Sequence, residues 1–151
     1  MKKYLFILIT LFVAGYLASK VQSSWGKVRV QSIKIPTQNG QWLVADLFKP
    51  VSANASNPSP LVIVVPGFQR SKETLSNISI ELSRRGIVTI AIDPYAQGLS
   101  SSSFSKRAAT KEGYGMFALV DYVYDTSILN YVDKDKIGVT GHSAGGLAAM
   151  R

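Results

Sequence analysis

The chain has no cysteine among its 151 residues. That one absence excludes disulfides, thiolate metal ligands, a thiol nucleophile and a lipidated-cysteine anchor. It fits an exported chain as well as a cytosolic one. Histidine is nearly missing too, with His142 the only one. No grouping of His, Asp and Glu has metal-ligand spacing, so neither a metal nor any other cofactor is expected. Acidic residues are scarce, 9 against 17 Lys and Arg, for a formal charge of +8. The basic excess does not gather on one stretch. Lys2, Lys3 and Lys20 flank an apolar N-terminal segment, Arg84 and Arg85 close a predicted helix, and Lys134 and Lys136 alternate with Asp133 and Asp135. A nucleic-acid groove needs its cations on one face with aromatics to stack on, so no nucleic-acid partner is expected. Long polar low-complexity tracts are also lacking. With 46% hydrophobic and 17% charged residues, the composition is that of a globular chain with one core.

Residues 1–23 form a distinct unit. Met1-Lys2-Lys3 precedes an uncharged, apolar run from Tyr4 to Ala18, and Lys20 follows. A positive start before an apolar run is what export machinery reads. No Ala-x-Ala cleavage site is present, although Val21 and Ser23 satisfy a small-residue rule. The run is somewhat shorter than the ~20 residues of a bilayer span. Signal peptide and uncleaved membrane anchor both remain open. Either places residues 24–151 outside, or against, the cytoplasmic membrane.

From Val28 the pattern has period two, with Val28, Val30, Ile33 and Ile35 between polar neighbours. Asn39-Gly40 signals a tight turn, and a second strand from Trp42 to Phe48 completes an antiparallel hairpin. Lys49 to Pro60 reads as a loop. The texture then alternates between strand and helix. Leu61 to Val65 and Ile87 to Ile92 are β-branched runs of buried strands. Between them, Ser71 to Arg85 predicts a helix burying Leu75, Ile78 and Leu82, closed by Gly86. Gln97 to Thr110 reads as an exposed loop, Gly113 to Leu129 as a well-covered helix, and Ile137 to Thr140 as a third short strand. The expected fold class is α/β: a mainly parallel sheet with helices on both faces, preceded by the hairpin.

That last strand runs into Gly141-His142-Ser143-Ala144-Gly145, and a helix begins after it. A serine on so sharp a strand-to-helix turn has its hydroxyl pushed out above the sheet. Side chains two before and two after it would collide with strand and helix, which calls for Gly141 and Gly145. Ala144 is small for the same reason, and its N–H can point at a developing oxyanion. By chance a Gly-x-Ser-x-Gly pattern is expected about 0.05 times in a chain this long.

These features resemble the α/β-hydrolase family over residues 28–151. The stretch Lys136-Ile-Gly-Val-Thr-Gly-His-Ser-Ala-Gly-Gly146 looks most like the dienelactone-hydrolase and esterase branch. The resemblance implies an α/β-hydrolase fold with Ser143 as nucleophile. Pro66-Gly67-Phe68 occupies the place of the family's His-Gly-x, which makes the Phe68 N–H a second oxyanion donor beside that of Ala144. Asp93 to Ser100 resembles Asp-x-x-Gly-x-Gly-x-Ser, with Ala96 in place of the first glycine. The implied activity is that of a serine hydrolase cleaving a small acyl substrate such as a carboxylic ester through an acyl-enzyme. A peptidase or acyltransferase on the same fold, a catalytically inert binding protein, and a membrane enzyme with further spans are the alternatives.

The remaining polar and aromatic residues have plainer expectations. His142 adjoins the nucleophile on a tight turn, so its ring should not reach Ser143 Oγ; packing beside the turn is its expected role. Asp93 is expected to cap the turn before Pro94, and Asp121 and Asp125 to form a solvated helix edge. Tyr114, Phe117, Tyr122 and Tyr124 read as core and interface aromatics. On this fold the acid and the histidine follow the serine, and only eight residues lie beyond Ser143. The chain alone is therefore expected to be truncated after the elbow, inactive and marginally stable, with an unpaired edge on its last strand.

Overall fold

The computed structural model describes residues 2–37, 40–102 and 111–151. Asn39 of the predicted turn, and residues 103–110 of the predicted loop, lie outside that set. The order of elements is α1 (Lys2–Gln22), β1 (Val28–Pro36), β2 (Trp42–Pro50), β3 (Ser59–Val65), a 3₁₀ turn (Lys72–Leu75), α2 (Ser76–Arg84) and β4 (Val88–Ile92). A second 3₁₀ turn (Gly113–Gly115), α3 (Met116–Asp125), β5 (Val132–Gly141) and α4 (Ala144–Ala149) complete it.

The five strands form one open, mixed sheet in the order β1-β2-β4-β3-β5. β1 and β2 are the expected antiparallel hairpin, and β2 also pairs antiparallel with β4. β3 pairs in parallel with both β4 and β5. Strand alternation then sorts the core into two layers. Leu61, Ile63 and Val65 of β3, with Val88, Ile90 and Ile92 of β4, face Met116, Leu119 and Val123 of α3. Val64 and Ala91 point the other way, toward Leu75 and Ile80 at α2. Helices therefore cover both faces, and β5 stands at one edge of the sheet.

Two helices differ from expectation. Of the predicted row, Leu75 packs on the core from the preceding 3₁₀ turn, but α2 itself buries Ser79 and Ser83; Ile78 is exposed and Leu82 only half-buried. Serines let the helix approach closely, because Ser83 Oγ reaches both Phe48 O and Thr89 Oγ1 at 3.2 Å. Periodicity counts apolar residues and misses a small, hydrogen-bonded contact face. α3 stops at Asp125 instead of Leu129, where Thr126 turns to extended backbone. Its exposed edge carries Asp121 and Asp125, as expected.

α1 is longer than the apolar run that suggested it, because Lys2, Lys3 and residues 19–22 join the helix. It is long and apolar enough to cross a membrane by length and composition, and none of its residues is buried.

Candidate active site

The site is assembled by strand register. β3 and β5 run parallel with Val65 opposite Gly141, so the segments leaving both strand ends emerge side by side. His142 N–H continues the ladder by donating to Val65 O at 3.2 Å. The chain then reverses direction. Gly145 N–H returns to His142 O at 2.9 Å, and Leu147 N–H reaches Ser143 O at 3.0 Å, the first bonds of α4. Between strand and helix, Ser143 adopts φ 54°, ψ −118°. That conformation is strained for any residue with a Cβ, at a cost of about 1–3 kcal/mol.

The two flanking glycines are required on steric grounds. A Cβ on Gly145 would stand 2.0 Å from Val65 O and 2.6 Å from Pro66 O. One on Gly141 would stand 2.5 Å from the Gly145 carbonyl carbon and 2.7 Å from Val65 O. Both clashes are with backbone, which cannot swing away. Gly67 is a third close approach: a Cβ there would meet His142 Nδ1 at 3.2 Å and Ser143 Cβ at 3.4 Å. Hence Gly67 is buried against the serine, and Phe68, the next residue, is 67% exposed beside it.

Three polar groups at this junction have no partner among the described residues: Ser143 Oγ, the Phe68 N–H and the Ala144 N–H. Ser143 is exposed. His142 is also exposed; its ring lies against Gly67, and no hydrogen bond joins it to Ser143. Of the aromatics, Phe117 and Tyr122 pack on the core, Tyr114 accepts the Tyr95 N–H through its carbonyl, and Tyr124 is a surface residue bonded to Lys134. A cleft of about 420 Å³ between β1 and α3 includes Asp121 and Asp125 but none of the elbow residues.

Next to the junction lies a charged knot that the sequence does not reveal. Asp93, at the end of β4, is fully buried and does far more than cap a turn. Its carboxylate accepts Lys72 N–H at 2.7 Å and Leu99 N–H at 3.0 Å. Lys72 is itself buried, with Nζ 2.5 Å from Glu73 Oε1, 3.7 Å from Asp93 Oδ2 and 4.0 Å from Asp46 Oδ2. Burial pushes the Lys72 ammonium downward, but the Glu73 hydrogen bond and the Asp93 and Asp46 charges outweigh it and hold the group above its usual range. Glu73 is held down at about 2, chiefly by the Lys72 hydrogen bond. Burial raises Asp46, against the pull of Lys72. Gly98 must be glycine for this packing, since a Cβ would fall 2.2 Å from Asp93 Cγ. Ala96 occupies a left-handed position, φ 61°, where the resembling pattern carries glycine.

The PET hydrolase-like family matches residues 15–151. Among solved structures, Est1E from Butyrivibrio proteoclasticus, with ferulic acid bound, is 28% identical at a TM-score of 0.65; the match covers 78% of this chain and 45% of Est1E. An esterase of Pyrococcus furiosus is 22% identical, TM-score 0.66, covering 88% and 46% respectively. Acetyl xylan esterase 1 from Thermoanaerobacterium is 17% identical, TM-score 0.65, covering 82% and 43%. The chain thus spans less than half the length of the structures it matches. No curated protein matches it.

Proposed function

The chain belongs to the PET hydrolase-like family, and from that premise we propose that it supplies the nucleophile and oxyanion half of a serine hydrolase acting on carboxylic esters. The observation that carries this reading is Ser143 at positive φ in a strained turn, raised between β5 and α4 with two unpartnered N–H groups beside it. Ser143 Oγ attacks the acyl carbonyl carbon and gives up its proton to a general base. The Phe68 and Ala144 N–H groups receive the oxyanion, the alcohol departs with the proton, and water then cleaves the acyl-enzyme. His142 is turned to Gly67 and does not serve as that base. On this fold the base is a histidine that follows the serine and an acidic residue. The finer placement on the dienelactone-hydrolase side of the superfamily rests on the elbow sequence alone. A substrate with an aromatic acid moiety is the first to try, given the exposed Phe68 ring and the ferulic acid held by Est1E.

The exposed apolar α1 supports delivery to the membrane, as a signal sequence or as an anchor. In the complete gene product, a fluorophosphonate probe is expected to label Ser143 and to spare Ser143→Ala. Absence of labelling removes the hydrolase reading and favours an inert protein that keeps the elbow shape.

A further inference from the structure

The Phe68 N–H lies in an exposed turn, Gly67 to Arg70, that is poorly held by its own bonds. Its closing bond, Arg70 N–H to Gly67 O, is 3.2 Å long. Its third residue, Gln69, sits at φ 56°, a left-handed position that costs a non-glycine residue about 1 kcal/mol. Phe68, Gln69 and Arg70 are all exposed, so packing does little to fix them. An oxyanion donor, by contrast, has to be held to within about 0.5 Å.

A second loop supplies what the turn lacks. Gln97 Oε1 accepts the same Arg70 N–H at 3.0 Å. Because a backbone N–H only donates, the carboxamide oxygen must be the end that faces it. Gln97 is anchored in turn: its N–H reaches Pro94 O at 3.0 Å, and its carbonyl accepts Ser100 N–H at 3.2 Å. At the root of both loops, Asp93 ties Lys72 N–H to Leu99 N–H. The two loops are therefore joined at the base by Asp93 and at the tip by Gln97. Resting on the proposed roles of Ser143 and Phe68, we propose that Gln97 is a positioning residue, fixing the 67–70 turn so that the Phe68 N–H faces the carbonyl oxygen attacked at Ser143.

Gln97→Met keeps the length of the side chain and loses the acceptor, while Gln97→Glu keeps an acceptor. In the complete gene product, Gln97→Met is expected to lower kcat about tenfold, a fraction of what removing an oxyanion donor costs. KM should stay within about twofold, because the loss falls on the transition state. Melting temperature should move by less than about 2 °C, and Gln97→Glu should recover most of kcat. Amide exchange at Arg70 should quicken in Gln97→Met and not in Gln97→Glu. Unchanged kcat in Gln97→Met, an equal fall in both variants, or a fall that merely tracks melting overturns the proposal. Should the wild type not label at Ser143, the hydrolase reading fails separately, and exchange at Arg70 still decides the clamp: unaltered protection overturns it.

Discussion

At the elbow, β3, β5 and α4 are held by what the side chains leave out. Gly141, Gly145 and Gly67 let three stretches of backbone touch, and no charged group takes part. At the neighbouring knot the opposite device operates: Lys72, Asp46, Glu73 and Asp93 tie β2, β4 and two loops together through ions and hydrogen bonds. The elbow leaves the Ser143 hydroxyl and two N–H groups unpartnered among the described residues. The knot satisfies the buried carboxylate of Asp93 with two N–H donors and a cation. The groups proposed to act on a substrate are unpartnered, and the buried groups that hold the knot are saturated.

The sharpest break in that comparison is steric. Gly145→Ala should cost about 4 kcal/mol or more, since its Cβ meets fixed backbone at 2.0 Å and nothing flexible can yield. Gly146→Ala, one residue on, meets Gly141 O at 3.3 Å and gains helix propensity, so it should stay within about 1 kcal/mol of wild type. Urea midpoints of the two variants give the answer; similar values would mean that the elbow is not set by close backbone approach.

The next test separates the two regions by pH. Lys72→Met strips the cation from a buried carboxylate and should cost about 3–5 kcal/mol at neutral pH. Since the Lys72 pKa is raised on folding, its contribution is whole below the ordinary 10.5 and fades as pH climbs through the raised value. Glu73 is lowered, so its contribution is whole above 4.5 and fades as pH falls toward about 2. Urea midpoints against pH should therefore decline at both ends in the wild type, and both slopes should flatten in Lys72→Met. Gly145→Ala should keep the wild-type slopes, because it leaves Lys72 and Glu73 and their partners in place. Identical profiles in wild type and Lys72→Met would show the knot to be energetically idle.

The elbow was legible in the sequence because its cause is local. A β-branched strand, Gly-x-Ser-x-Gly and a helix start occupy consecutive residues, so one segment, 137–147, states the whole constraint. The hairpin and the buried strands were legible for the same reason, through period two and β-branched runs. The knot was not. Asp46, Lys72 and Asp93 come from β2, the first 3₁₀ turn and the residue after β4, and only the β2–β4 and β3–β4 pairings bring them together. In the sequence Lys72 looks like any lysine at a helix start. Asp93 and Gly98 did belong to a recognisable pattern, yet the pattern does not say that the carboxylate is buried or which N–H groups it receives. Gln97 carried no signal, since an isolated Gln in a loop is solvated far more often than bonded. Part of the α2 face escapes apolar periodicity because Ser79 and Ser83 make the contact that the pattern assigns to Ile78 and Leu82.

The smallest effect concerns strain. Ser143 and Ala96 are both non-glycine residues at positive φ, 54° and 61°, one in each region. Ser143→Gly should stabilise the protein by about 1 kcal/mol, because φ 54° with ψ −118° lies outside the left-handed basin and its relief exceeds the extra unfolded-state entropy of glycine. Ala96→Gly relieves only the ordinary left-handed cost of about 1 kcal/mol, and the same entropy cancels most of it. Its shift should be no more than about 0.5 kcal/mol. Ser143→Ala removes the hydroxyl and keeps the strain, so its urea midpoint should match the wild type. A stabilised Ser143→Gly beside a neutral Ser143→Ala would locate the strain in the backbone that lifts the hydroxyl. Equal midpoints for all three would mean that the turn is unstrained, and that glycine spacing alone shapes the elbow.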